Sequence, residues 1–239
     1  YITPKDITEE KAAADILVKL ANDGGEDAFV TVTAEIADME GKTVASKSAS
    51  LFAAAGEKSQ AVLTVHIDSP VLWNGVKKPY LYTARVIAET GGRVSDEYGQ
   101  SFGIRTYRID CENGFFLNGE YLDLRGVNYH QDSYENGWAM TNGQRERDYN
   151  MMLEMGCTSV RMAHYQHDSY EYELCDRLGL TVWTEIGIVN RMSADETDPP
   201  SVSAAFAENA KWQLTELIRQ NYNHPSVIVW GISNELYQM

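Results

Sequence analysis

The chain has 239 residues, 44% hydrophobic and 10% aromatic, proportions that fit one large or two ordinary folded domains and not a disordered or fibrous chain. Its formal charge of −15 is uneven: residues 1–107 carry a net −4 and residues 108–239 a net −11, with Lys211 the only lysine in the second stretch. A surface this acidic repels phosphate backbones and argues against nucleic acid as a partner; no apolar run reaches the roughly 20 residues that a membrane helix requires. The composition is that of a soluble globular protein, with bacterial cytoplasm and periplasm both open; no basic stretch followed by an apolar one marks a secretory leader. Tyr1 in place of an initiator Met suggests an internal piece. Cys111, Cys157 and Cys175 form no C-x-x-C; Cys157 and Cys175 fall in helix-like patterns and are expected as buried thiols, without a zinc site or disulfide framework.

Up to about Tyr107 the sequence alternates with period two. Ala14–Leu20 reads as a strand, and Asn22-Asp23-Gly24-Gly25 as a turn. Phe29–Ile36 follows, with Val30, Val32, Ala34 and Ile36 on one face. Glu40-Gly41 turns the chain towards Val44, Ala61–Ile67 and Tyr80–Glu89 alternate again, and Gly91-Gly92 turns it towards Val94. Strands of this length and spacing predict an immunoglobulin-like β-sandwich over residues 1–107. Trp73, Tyr80 and Tyr82 are expected in its core, and His66 and His224 are read as structural.

From about Arg108 the rhythm becomes that of βα units. Tyr121–Val127, Thr158–Met162, Leu180–Ile186 and Val227–Ile232 read as strands; Gln144–Met155, Ser169–Leu178 and Ala204–Asn221 read as helices. Gly156 and Gly179 stop the first two helices. Strands alternating with helices predict a parallel sheet, and four such strands make the N-terminal half of a (β/α)8 TIM barrel over residues 108–239. The whole is thus a multidomain β plus α/β chain. Polar groups follow each strand: Asn128, His130 and Asp132, then Arg161 and His164, then Glu185, then Asn234 and Glu235. The C-terminal strand ends of a parallel barrel form its catalytic face, so these groups are expected on one rim.

The motifs at these positions resemble glycoside hydrolase family 2, the β-galactosidase-like enzymes. Phe102-Gly103-Ile104-Arg105, Phe116-Leu117-Asn118-Gly119 and Arg125-Gly126-Val127-Asn128-Tyr129-His130 are similar to the entry into that family's barrel. Val160-Arg161-Met162-Ala163-His164-Tyr165 and Leu174-Cys175-Asp176-Arg177-Leu178-Gly179-Leu180 follow at the family's spacing. Asn223-His224-Pro225-Ser226-Val227-Ile228-Val229-Trp230 and Ser233-Asn234-Glu235 resemble the segment that carries the acid/base. Upstream, Leu72-Trp73-Asn74 and Pro79-Tyr80-Leu81-Tyr82 are similar to the end of the preceding sandwich domain. Each motif is short, but their order and spacing over residues 102–239 are specific.

The resemblance implies retaining hydrolysis of a terminal β-linked sugar by two carboxyl groups about 5–5.5 Å apart. It assigns the acid/base to Glu235, a sugar 2-hydroxyl contact to Asn234, sugar contacts to His164 and His130, a weaker sugar contact to Asp132, and support of the nucleophile to Arg161. Arg161 could instead brace the barrel interior through a salt bridge, and Glu185 is read as structural, paired with an arginine. The nucleophile belongs at the end of the seventh strand, beyond Met239, so the 239-residue piece is expected to be inactive alone. Gln166 stands where the family has Pro, a loop detail. Val189 occupies the position of a magnesium-holding carboxylate in some members, so no metal is expected there, and no cofactor is implied. β-Galactosidase is the leading activity, β-glucuronidase the nearest rival and β-mannosidase more distant. The scarcity of lysine and the loop Tyr165-Gln166-His167-Asp168 lean away from an acidic sugar. A non-catalytic carbohydrate-binding or scaffold piece is the reading from another class. The partner expected is an oligosaccharide or other β-glycoside, with self-association through the open half-barrel.

Overall fold

The computed structural model describes residues 1–189 and 203–235. It divides the chain into two compact units, one of residues 1–74 and 78–106, the other of 75–77 and 107–239.

The first unit is an antiparallel sandwich of seven strands: β1 (Ile2–Lys5), β2 (Lys11–Ala21), β3 (Ala28–Ala37), β4 (Thr43–Ala53), β5 (Lys58–Asp68), β6 (Tyr82–Thr90) and β7 (Arg93–Phe102). One sheet has the order β1-β2-β5 and the other β4-β3-β6-β7. The alternation in the sequence sets which side chains face inward. Val30, Val32, Ala34 and Ile36 of β3 are buried, together with Ala12, Ala14 and Ile16 of β2 and Leu63, Val65 and Ile67 of β5. Hydrophobic faces of two sheets pack on one another in this way because neither sheet can bury its own. Tyr82 is buried in the core of this unit and Tyr80 packs edge-on against it, as expected from the sequence; Trp73 is buried as well. The Val71 amide donates to the Tyr82 hydroxyl at 2.8 Å, so the one polar atom of that buried ring is satisfied. Between β6 and β7 only Gly91 and Gly92 intervene, both at positive φ (59° and 76°). That is the two-residue hairpin geometry for which glycine is suited.

The second unit opens with a meander that the sequence pattern does not announce: β8 (Tyr107–Asp110), β9 (Gly114–Leu117) and β10 (Glu120–Tyr121), in the order β10-β9-β8. This corrects the strand expected at Tyr121–Val127. The Asn118-Gly119 turn sends Glu120–Tyr121 back along β9, and the Leu122 amide continues the pairing by donating to the Phe115 carbonyl. The parallel strand begins only at Gly126.

Four parallel strands then lie side by side in chain order: β11 (Gly126–Tyr129), β12 (Ser159–Met162), β13 (Thr181–Glu185) and β14 (Val227–Gly231). Helices α1 (Asn142–Glu154), α2 (Ser169–Leu178) and α3 (Ala204–Asn221) connect them. This is the first half of a TIM barrel. Thr141 caps α1 in a reciprocal capping box with Gln144, and Asp168 caps α2 through the Tyr170 amide at 2.9 Å. Gly179 ends α2 in the left-handed conformation at φ 78°. Tyr149, Met152, Val160, Met162, Tyr172, Leu174, Cys175 and Val182 form the core between sheet and helices. Cys175 sits on α2 as expected, and burial raises its thiol pKa well above the ordinary range. Cys157 is buried but lies after α1, not within it. His224 is structural, with Nδ1 2.6 Å from Asp176 Oδ2.

Candidate functional site

Because β11 to β14 are parallel, their C-terminal ends open on one rim, with one register shift between β13 and β14 at Val182/Trp183. Asn128 pairs with Arg161 across β11 and β12, and Glu185 pairs with Gly231 across β13 and β14. Glu185 ends β13 with 0% of its surface exposed. A carboxylate buried this deeply needs several donors, and two side chains supply them. The Arg161 guanidinium pairs with Oε1 through Nε, and His164 Nδ1 lies 3.1 Å from Oε2. The carboxylate can only accept here, so the ring nitrogen facing it carries the proton.

Arg161 is the tie between all four strand ends. Besides Glu185 on β13, it donates to Asn128 Oδ1 on β11 at 3.3 Å and to Asn234 Oδ1 just past β14 at 2.8 Å. A guanidinium has only donors, which fixes Asn234 with its oxygen towards Arg161 and its amide nitrogen turned away. The Asn234 backbone N–H donates to the Ile188 carbonyl at 2.8 Å. Glu235 follows at φ 51°, a left-handed conformation uncommon outside glycine, and its residue is exposed. Gly231 makes this packing possible: a Cβ there would sit 2.6 Å from Trp183 Nε1 and 2.7 Å from Glu185 Cγ.

His130, just past β11, is exposed; its Nδ1 is 3.3 Å from the Tyr165 hydroxyl and its ring centroid 5.2 Å from that of His164. Asp132 is exposed beside this pair. Burial, and then the Asp132 charge, raise the Tyr165 pKa above its ordinary value. The structure therefore gathers Arg161, His164 and Asn234 through hydrogen bonds, sets His130 against His164, puts Glu235 next to Asn234 and leaves Asp132 at the edge.

A second buried cluster lies behind this rim, and sequence reasoning passed over it. Glu171 on α2 accepts from Arg145 Nε at 3.1 Å, from the Tyr149 hydroxyl at 3.1 Å and from His167 Nδ1 at 2.7 Å. Arg145 also donates to the Met140 carbonyl at 2.6 Å, and His167 Nε2 lies 3.0 Å from the Ala163 carbonyl. The cluster thereby clamps the loop before α1 and the loop after β12, the latter carrying His164 and Tyr165. The signal available was spacing: Glu171 and Cys175 are one turn apart on the inward face of α2, where a carboxylate demands partners. Among the described residues, no group of three or more His, Cys, Asp or Glu could hold a metal ion.

Both parts of the chain are similar to known proteins. Residues 1–105 match the family model described as glycosyl hydrolases family 2, and residues 109–239 match that of the glycosyl hydrolases family 2 TIM barrel domain. A β-glucuronidase of Bacteroides fragilis is 36% identical over 243 residues, spanning 100% of this chain and 34% of its own length. The β-galactosidase BoGH2A of Bacteroides ovatus is 31% identical over 238 residues, spanning 100% of this chain and 28% of its own. A solved structure from Bacteroides fragilis superposes with a TM-score of 0.91 at 41% identity, covering 100% of this chain and 34% of that one. The chain thus spans about a third of the length of these relatives.

Proposed function

Since this chain belongs to glycoside hydrolase family 2, we propose that the protein carrying it is a retaining β-glycosidase with Glu235 as its acid/base. The observation that supports this most is the set of hydrogen bonds from Arg161 to Asn128, Glu185 and Asn234, which ties the residue before Glu235 to the other strand ends.

In this reading Glu235 protonates the leaving oxygen, then takes the proton from the water that frees the glycosyl-enzyme. Asn234, with its oxygen held by Arg161, offers its amide nitrogen to the sugar 2-hydroxyl. His164, anchored on Glu185, and His130 contact other hydroxyls, with Asp132 at the margin. Arg161 and the buried Glu185 act as a brace that holds these groups and supports the nucleophile. That nucleophile comes from the later half of the barrel, so residues 1–239 by themselves should not turn over substrate.

The preferred sugar is a neutral one, a β-galactoside first. Among the described residues, the arginine at this rim and the one behind it are both committed: Arg161 to Glu185, and Arg145 to Glu171 and Asp168. A β-glucuronide needs a cation for the sugar carboxylate, which is the reason it ranks second, although relatives of both names are similar to this chain. Hydrolysis of aryl β-galactoside, β-glucuronide and β-mannoside by the protein expressed from the full coding sequence tests this. Highest kcat/KM on the galactoside supports the reading. Preference for the glucuronide keeps the mechanism and changes the sugar, and no turnover of any glycoside leaves a carbohydrate-binding or scaffold role.

A further inference from the structure

A line of rings leads outward from the proposed sugar site. His164, bonded to Glu185, lies 5.2 Å from His130; His130 lies 5.8 Å from Tyr165; and Tyr165 stacks on Trp138 with centroids 4.6 Å apart and planes at 28°. Trp138 ends the line with 62% of its surface exposed. A large aromatic left in water on the connection between β11 and α1, yet held flat by a second ring, is a preformed apolar platform. Beside it opens a cleft of about 470 Å³, within the range of small-molecule sites.

Three of the side chains lining that cleft with Trp138 are amides, Gln131, Gln166 and Gln220, beside Arg145, His167 and Asp168. Gln131 accepts from the Asp168 amide at 2.8 Å, which fixes its oxygen and turns its amide nitrogen the other way. Gln166 donates to Gln220 at 2.6 Å, which fixes its nitrogen and turns its oxygen the other way. An aromatic face with oriented amide donors and acceptors is the chemistry that recognises a neutral pyranose, whose C–H face stacks while its hydroxyls hydrogen-bond. The cation that lines the cleft, Arg145, has only 6% of its side chain exposed and is bonded to Glu171, Met140 and Asp168, so the cleft does not favour an acidic sugar.

We propose that Trp138 and Tyr165, with Gln131 and Gln166, form a subsite for a neutral sugar on the leaving-group side of the scissile bond. The side follows from the proposed function, on which this rests: a terminal sugar occupies the strand-end site, so any further residue of the substrate lies beyond the leaving oxygen. The natural substrate is then an oligosaccharide and not a simple glycoside of a small alcohol.

The test uses the protein expressed from the full coding sequence and two substrates with the same terminal sugar: the glycosyl fluoride, whose leaving group has no ring, and the β-linked disaccharide. In Trp138→Ala, kcat/KM for the disaccharide should fall about tenfold while that for the fluoride changes less than twofold. Trp138→Phe, which keeps a ring on Tyr165, should recover most of the loss. Equal losses on both substrates, or no loss on either, overturn the subsite. Wild-type protein inert towards the fluoride would instead overturn the glycosidase reading beneath it. Should Trp138→Ala not fold, Trp138→Leu yields the same ratio.

Discussion

Replacing Glu171 by Gln removes one charge from a buried cluster and little else. Glu171 is 0% exposed and accepts from three donors, two of which carry the rim loops: Arg145, tied to the Met140 carbonyl, and His167, tied to the Ala163 carbonyl. Glutamine keeps the shape and one acceptor oxygen, but its amide group then faces donors and the Arg145 charge loses its closest buried partner. Stripping one member of a buried ion pair costs about 3–5 kcal/mol; with one acceptor retained and Asp168 still 3.3 Å from Arg145, the lower end, about 3 kcal/mol, is expected. Arg145→Met should cost a similar amount by leaving Glu171 short of a cation. The double variant should lose less than the sum of the two by at least about 1.5 kcal/mol, because each single change already forfeits the pair. Urea unfolding of the four proteins, followed by circular dichroism, measures all three quantities. A loss below about 1 kcal/mol for Glu171→Gln, or additivity within about 0.5 kcal/mol, would refute the claim that this cluster acts as one unit.

Two further predictions concern a glycine and an acid limb. Gly231→Ala places a methyl 2.7 Å from Glu185 Cγ and 2.6 Å from Trp183 Nε1; overpacking of this kind costs about 1–3 kcal/mol and should also lower kcat/KM by displacing Glu185, both read from unfolding and steady-state kinetics. In the sandwich, hydrogen bonds from Lys5 and then Thr64 hold the Asp15 carboxyl below its ordinary value of 3.8. A carboxyl depressed in the folded state contributes stability that is present above 3.8 and is lost as pH falls through the folded pKa. Asp15→Asn should therefore flatten the fall of the unfolding temperature below about pH 4, and an unchanged acid limb would contradict the pairing.

The fold was legible wherever an element was long enough to show its period. Val30, Val32, Ala34 and Ile36 announce β3 because ten residues give five inward positions, and the runs before Gly156 and Gly179 mark α1 and α2 by their stops. The strands β1 and β8 to β10, of two to four residues, have too few positions to display alternation, and their pairing depends on partners elsewhere in the chain. That is also why Tyr121–Val127 misled: its apolar residues belong partly to the end of a meander and partly to the start of β11. At the site, strand ends gave the residues but not their bonds. Glu185 and Arg161 were each readable as members of a salt bridge, yet nothing in the sequence showed Arg161 reaching Asn128 and Asn234 as well. Trp138 lies in a loop without periodicity, and its stacking on Tyr165, which follows a different strand, is a tertiary fact.

The most direct test of the account is the leaving-group dependence of Glu235→Gln in the protein expressed from the full coding sequence. If Glu235 is the acid/base, the variant should lose about 10²–10⁴-fold in kcat/KM on a β-glycoside with a poor leaving group, and far less on a dinitrophenyl glycoside that departs without a proton. An equal loss on both substrates, or none on either, would contradict the assignment.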